Sequence, residues 1–598
     1  MEWVTLHRHM YKNKPERNAL LSMDTRAVYE SWRNEPSLDE ATRAELNAIS
    51  TDEVEIEERF YRELEFGTAG LRGILGAGTN RMNAYVVRRA TQGLSNYLLA
   101  CDGAKARGVC IAYDSRLYSP EFAREAACVL AANGIQVYLF STLHSVPQLS
   151  FAVQHLNCIA GVVITASHNP SKYNGYKVYW AYGGQAAPEQ AAAIYEEIQK
   201  VEMFSPRVAD FDAAIAAGTI QMVGAEEDEA YYSATEKLLL NPDLVRRRGG
   251  DLPIVYTPLH GSGAVPVREL LARVGFGNLI TVPEQSAPDG RFPTVTAPNP
   301  EDPGAFRLAI ALAEQTGARV CIATDPDADR LGVAVKTKQD EWLTLTGNQI
   351  GCILLEHILS SLSHQNRLPK NGVVIKSIVS TRLADAIAAA YGVSLENVMT
   401  GFRFIGEKVD EYQTSGEKTF LFGFEESFGF LAGGLARDKD AVSSAMLLAE
   451  ACISYAERGM TLSDALDEIY ATYGFYSESV KSYTLEGKEG MEKIAGAMAK
   501  LRQSPPASFA GISVTTAEDY LTRLCEHADG TSCDIALPMS DTLRWLLVDE
   551  SWIVIRPSGT EPKLKLYIGA RAKTKQQLDA TLTSLMTDVD RLLTGYLA

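Results

Sequence analysis

Six times along this 598-residue chain a short apolar run stops abruptly at a polar loop. Gly108 to Ala112 runs into Y-D-S-R, Ile159 to Ile164 into T-A-S-H-N-P, and Pro253 to Tyr256 into T-P-L-H-G-S-G. Further on, Arg319 to Ala323 runs into T-D-P-D-A-D-R, Gly372 to Ile375 into K-S-I-V-S-T-R, and Thr419 to Phe422 into G-F-E-E-S. Longer Ala-, Leu- and Glu-rich stretches of helical period separate these runs, so the pattern predicts buried strands alternating with helices, an α/β fold. In open α/β sheets ligands bind beyond the carboxyl ends of the strands. Polar residues gathered at those ends therefore predict several sheets facing a central cleft.

One hydrophobic core stops growing well below this length, so the chain must divide into domains. The spacing of the elements places boundaries near 220, 338 and 472. That gives a partly helical N-terminal extension (1–50), three mixed α/β sheet domains (51–220, 221–338 and 339–472) and a C-terminal domain (473–598). In the last of these, Trp552 to Ile555 and Leu564 to Ile568 flank R-P-S-G-T-E-P with no helix between them, a strand, loop, strand unit. A final helix over about 575–593 makes this an α+β domain. Residues 1–22 lack helical period and are expected to have no role in the fold, with a helix start at Met23-Asp24-Thr25.

The formal net charge of −18, without a basic stripe to offset it, disfavours a nucleic-acid partner. A local Arg and Lys cluster could still bind anionic small molecules. The nine cysteines are dispersed with no C-x-x-C, the pattern of reduced core thiols in a cytoplasmic protein. Neither an apolar leader at the N-terminus nor a run of 18 apolar residues is present, so no signal peptide or membrane contact is expected.

Four loops carry candidate chemistry. In D-P-D-A-D-R, Asp325, Asp327 and Asp329 alternate directly after a core strand, so their oxygens can converge on a hard cation such as Mg²⁺; the bland alternative is a solvated acidic turn. R-P-S-G-T-E-P-K offers Arg556, Ser558, Gly559, Thr560 and Lys563 as an anion nest, or serves simply as a hairpin loop. G-F-E-E-S-F-G sets Glu425 and Ser427 where they could bond vicinal sugar hydroxyls, or is simply a loop carrying surface charge; Glu425 and Glu426 should point opposite ways, so at most one faces a ligand. In T-A-S-H-N-P, Ser167 could cap a helix. An extended backbone would make Ser167 and His168 a poor general-base pair, and no G-x-S-x-G elbow is present. A serine that carries a phosphoryl group would instead need the His, Asn and Lys around it.

The order T-A-S-H-N-P, D-P-D-A-D-R, G-F-E-E-S and R-P-S-G-T-E-P resembles the α-D-phosphohexomutase superfamily. F-G-T-A-G-L-R-G (Phe66 to Gly73) and R-D-K-D (Arg437 to Asp440) make it most similar to the phosphoglucomutase branch, over roughly residues 50 to 598. The resemblance implies that Ser167 is a phosphoserine and that Asp325, Asp327 and Asp329, with its phosphate, hold one Mg²⁺. It places His168, Lys177 and Arg72 in the proton-transfer and phosphate-polarising shell, and Glu425 and Ser427 on the sugar hydroxyls. Arg556, Ser558, Gly559, Thr560 and Lys563 would clamp the unreacting phosphate. Arg330, Arg403 and Lys439 match substrate-binding positions, and Arg116 and His260 match other cleft positions. The implied activity interconverts glucose 1- and 6-phosphates through a glucose 1,6-bisphosphate intermediate, in a cytoplasmic monomer or dimer. Mannose or pentose phosphates are alternative substrates, because G-F-E-E-S-F-G stands where many relatives have G-E-x-S-G. A bisphosphate synthase shares every motif, and a metal-dependent phosphatase using Asp325 is the rival from another class.

Overall fold

The computed structural model describes residues 24–67, 70–485, 487–558 and 562–597. The expectation for residues 1–22, and those for Gly559 and Thr560, lie outside the described residues. The described residues form two compact units, one within 1–143, 156–181 and 186–224, the other within 144–155, 182–185 and 225–598.

The first unit is built on strands β1 (Leu71–Ile74), β2 (Val109–Tyr113), β3 (Val137–Phe140), β4 (Ala160–Ile164), β5 (Tyr173–Trp180) and β6 (Ile220–Val223). Their order is β1-β5-β4-β2-β3-β6. β2, β3, β4 and β6 run parallel, whereas β5 is antiparallel to both β4 and β1. β4 is buried at every residue, which is why its sequence is a continuous apolar run rather than an alternating one. The sheet closes on β6, so it extends past the boundary placed at 220. Asp24 accepts the N–H groups of Arg26 and Ala27 and starts helix Thr25–Arg33 at the expected point. This helix and the two after it bury Tyr29, Trp32, Leu46, Ile56 and Phe60 in one cluster with Tyr85, so the described part of the N-terminal extension belongs to the core of this unit.

The second unit holds three sheets. Strands β7 (Ile254–Thr257), β8 (Leu279–Thr281), β9 (Val320–Thr324), β10 (Leu331–Lys336) and β11 (Trp342–Thr344) are ordered β11-β10-β9-β7-β8. Strands β12 (Gly372–Ser377), β13 (Ser394–Val398), β14 (Thr419–Glu425) and β15 (Gly429–Ala432) are ordered β13-β12-β14-β15. Both repeat the device of the first sheet. A parallel strand, β9 or β14, is followed at once by an antiparallel neighbour, β10 or β15. Helix Ala441–Ala456 is buried along nearly its whole length between these layers, as its apolar circumference requires. Its one buried acid, Glu450, accepts the N–H groups of Leu240 and Asn241.

The C-terminal sheet contains β16 (Phe475–Thr484), β17 (Ser508–Phe509), β18 (Ile512–Asp519), β19 (Leu524–His527), β20 (Ser532–Asp534), β21 (Leu543–Leu547), β22 (Trp552–Pro557) and β23 (Lys563–Ala572). Its order is β16-β23-β22-β21-β18-β19-β20, with β17 on β18, and every pairing is antiparallel. Helices Gly487–Gln503 and Lys575–Leu597 cover one face. Trp552, Val554 and Tyr567 on the other pack with Ile378, Val379 and Met399. Among the described residues no helix is long and apolar enough to cross a membrane, and seven of the nine cysteines are buried thiols.

The β4–β5 turn depends on a close backbone approach at Gly175. A Cβ there would lie 2.6 Å from the Thr165 carbonyl oxygen and 2.7 Å from that of Leu71, both backbone atoms that cannot rotate away. Gly175→Ala should therefore destabilise the first unit by about 1–3 kcal/mol. Denaturant titration checks this, and the loss should exceed that of an alanine at Gly277, which has open space around it and no left-handed backbone.

Candidate active site

In the first unit Thr165 to Pro170 form the turn between β4 and β5, and no helix follows. The helix-cap reading of Ser167 is thereby replaced. Ser167 sits at φ 51°, a left-handed conformation that costs a non-glycine residue roughly 1–2 kcal/mol. The turn also overturns the premise of an extended backbone: Ser167 Oγ lies 3.1 Å from His168 Nδ1, within hydrogen-bonding reach. The strained turn persists because its surroundings over-determine it. Thr165 Oγ1 accepts the Ser167 N–H at 2.8 Å and donates to Asp114 at 2.7 Å. The buried Arg116 guanidinium donates to the carbonyl oxygens of Ser167, Asn169, Pro170 and Tyr173. Arg116, expected among the cleft residues, is instead a brace for the loop, only 1% exposed. Arg72 on β1 is exposed and donates to Asn169 Oδ1 at 3.3 Å. Lys177 is half-buried on β5, paired in register with Val163.

In the second unit the turn between β9 and β10 gathers Asp325, Asp327 and Asp329. All three are buried, and one carboxylate oxygen from each lies within 4.8 Å of the others. Asp325 Oδ1 accepts the N–H groups of Asp329 and Arg330, closing the turn about a left-handed Ala328. Burial, reinforced by the charges of Asp327 and Asp329, pushes the Asp325 carboxyl well above the usual range. Three hard oxygen donors converging in a buried turn fit a divalent cation such as Mg²⁺, which would relieve that repulsion. The solvated acidic turn is excluded by their burial.

Lys439 reaches this turn, 3.0 Å from Asp329 Oδ2 and 3.0 Å from Asp438 Oδ1. Burial opposes its charge, but Asp329, Asp438 and Glu425 together hold the ammonium above its ordinary range. Its backbone N–H donates to Asp438 Oδ1 at 2.8 Å, and the next residue, Asp440, caps helix Ala441–Ala456 and accepts the Tyr231 hydroxyl. Arg330 pairs with Glu301, and its backbone bridges Gly429. Arg403 opens helix Arg403–Ser415. His260 is buried, with ring nitrogens 3.2 Å from the Ala287 carbonyl and 2.9 Å from Thr294 Oγ1, which makes it a support for its own loop.

The two acids at the β14–β15 turn have different partners. Glu425 accepts the Gly401 N–H at 2.7 Å, while Glu426 accepts the Ser377 hydroxyl at 3.1 Å. Ser427 is half-buried beside them, followed by a left-handed Phe428. In the β22–β23 turn, Arg556 lies opposite Lys565, and Ser558 N–H donates to the Lys563 carbonyl at 2.7 Å. Lys565 was missed in the sequence, and Glu426 was read there only as the acid pointing away from Glu425. Burial pushes Lys565 down, Glu426 opposes that, and Lys563 and Arg556 add to it, so the turn is a concentrated cationic surface.

Glu426 predicts a pH dependence. Burial, then the charge of Glu425, raises its pKa from the ordinary 4.5 to about 7. A raised acid favours the folded state while protonated, so its contribution is full below about pH 4.5 and is lost as pH rises through about 7. Urea unfolding of wild type and Glu426→Gln across this window should show the wild type losing stability relative to the variant as pH rises.

Comparison with known proteins matches models of the phosphoglucomutase/phosphomannomutase α/β/α domains I, II and III to residues 63–204, 229–338 and 346–473, and of the C-terminal domain to residues 527–583. A phosphoglucomutase of Staphylococcus saprophyticus is 36% identical over 521 residues, 87% of this chain and 92% of the relative. One of Staphylococcus aureus is 37% identical over 527 residues, with the same coverage. The fold is similar to that of the Paramecium phosphoprotein pp63/parafusin, a phosphoglucomutase (TM-score 0.66, 19% identity, 90% of this chain and 95% of that one). It is also similar to a phosphoglucomutase/phosphomannomutase family protein of Burkholderia thailandensis (TM-score 0.63, 20% identity, 89% and 97%). With four successive domains matched and more than a third of residues shared across most of its length, the chain belongs to the phosphoglucomutase/phosphomannomutase family.

Proposed function

We propose that the chain is a phosphoglucomutase, an isomerase that interconverts glucose 1-phosphate and glucose 6-phosphate through glucose 1,6-bisphosphate. The observation that carries phosphoryl transfer is the Ser167 turn: a strained, braced loop presents one hydroxyl beside an imidazole. Glucose as the sugar rests on the likeness to the staphylococcal phosphoglucomutases.

Phosphorylated Ser167 gives its phosphoryl group to the free hydroxyl of the sugar monophosphate. The Ser167 Oγ–P bond breaks, a sugar O–P bond forms, and the hydroxyl proton ends on Ser167 Oγ. His168, within hydrogen-bonding distance of that oxygen, relays the proton. Lys177 and Arg72 supply positive charge to the phosphate oxygens. The bisphosphate then turns end for end and returns its other phosphoryl group to Ser167, so a trace of bisphosphate primes the cycle. Asp325, Asp327 and Asp329 would hold one Mg²⁺, which would supply positive charge to neutralise phosphoryl oxygens. Glu425 and Ser427 bond the sugar hydroxyls, and Lys439, Arg330 and Arg403 bind substrate around them. Arg556, Ser558, Gly559, Thr560 and Lys563 grip the unreacting phosphate, a clamp that must accept either end of the sugar.

Intact-mass and peptide mapping of the purified protein should find a phosphorylated fraction at Ser167. Ser167→Ala should lose it together with at least about 10³-fold of interconversion. Full activity in that variant would refute the assignment. Inorganic phosphate released as fast as glucose 1-phosphate disappears would point to a phosphatase instead.

A further inference from the structure

Far along the C-terminal sheet from β22 and β23, the hairpin β19–β20 carries chemistry that phosphoryl transfer does not use. Cys525 and Cys533 face each other in register across its two strands. His527, two residues beyond Cys525, projects from the same face of β19. Its Nε2 lies 3.8 Å from Cys525 Sγ and 3.9 Å from Cys533 Sγ, and ligand atoms of all three residues lie within 4.8 Å of one another. The other ring nitrogen, Nδ1, is 3.3 Å from Thr516 Oγ1 on β18. An Nδ1–H donated to that hydroxyl leaves the Nε2 lone pair facing the two sulfurs, the outer hydrogen bond that orients a metal-binding imidazole.

We propose that Cys525, His527 and Cys533 form a site for a thiophilic divalent cation, with Zn²⁺ the occupant and water its fourth ligand. Tetrahedral Zn²⁺ with bonds of about 2.3 Å to sulfur and about 2.0 Å to nitrogen separates those atoms by roughly 3.6 Å. The two Sγ to Nε2 distances are a few tenths longer, so a small rotation of side chains completes the geometry. Two thiolates and an imidazole are a soft set that Mg²⁺ does not favour, which keeps this site chemically distinct from the all-oxygen turn at Asp325. Binding replaces two S–H bonds with metal–sulfur bonds and releases both protons to solvent. Because β19 is already paired with β18, a cation joining Cys525 and His527 of β19 to Cys533 of β20 clips the edge strand of the sheet. Cys533 is exposed, so the cation can enter from solvent.

Full-length reduced protein titrated with Co²⁺ in the presence of excess Mg²⁺ tests this. A sulfur-to-cobalt charge-transfer absorption should grow to saturation at one Co²⁺ per chain and disappear when Zn²⁺ is added. Cys533→Ser and His527→Gln should each weaken uptake at least tenfold, with the far-ultraviolet circular dichroism unchanged. Absence of the absorption in the wild type, or equal uptake in Cys533→Ser, would overturn the proposal. So would a Cys525–Cys533 disulfide in the purified chain that, once reduced, leaves a protein taking up no Co²⁺.

Discussion

One buried guanidinium holds the Ser167 turn in place. Arg116 is wholly inside the first unit, and its N–H groups reach four carbonyl oxygens between Ser167 and Tyr173. Burying a charge of this kind costs several kcal/mol unless it is paired and its donors are satisfied. Asp114 supplies the pair, 3.4 Å from Nε, while also accepting the Arg116 N–H and the hydroxyls of Ser119 and Thr165. The end of β2 and the turn after β4 are thereby one polar network. Its consequence is a serine fixed in a conformation it would not otherwise keep, a placement that would serve the phosphoryl carrier proposed for it.

The same construction recurs in the second unit. The turns after β4, β9 and β14 each join a buried parallel strand to an antiparallel neighbour, and each contains one left-handed non-glycine residue, Ser167, Ala328 or Phe428. Such a turn reverses the chain within a few residues and projects its polar side chains beyond the sheet. The turn after β22 is a hairpin as well. The electrostatics then separate by turn. The Asp325 turn concentrates negative charge that calls for a cation, whereas the Arg556 turn concentrates positive charge suited to a phosphate. Lys439 tempers the first and Glu426 faces the second.

Where polar groups interrupt a buried strand, a reader of the sequence can see them, since burying them without purpose would be costly. The loops at Ser167, Asp325, Glu425 and Arg556 were legible for that reason. The hairpin form of the first three was not. Y-N-G-Y-K-V-Y-W and L-G-V-A-V-K look like ordinary strands, and nothing local says that each pairs backwards on its predecessor. The left-handed Ser167 was hidden because T-A-S-H-N-P contains no glycine to mark it. Arg116 reads as one more loop arginine until its carbonyl partners, some fifty residues away, are in view. Lys565 and the group around His527 likewise emerge only from strand register, which residue spacing does not encode.

The central claim, that the braced Ser167 turn is what transfers the phosphoryl group, can be tested on the brace rather than on the serine. Lysine keeps the charge of Arg116 but presents its donors from one point, so it cannot hold four spread carbonyl oxygens. In rapid-quench single-turnover experiments starting from phosphorylated protein, transfer from Ser167 of Arg116→Lys to glucose 1-phosphate should slow by about 10²-fold, the cost of a misplacement near 1 Å. Transfer at the wild-type rate, from a variant with wild-type phosphate content at Ser167, would contradict the account.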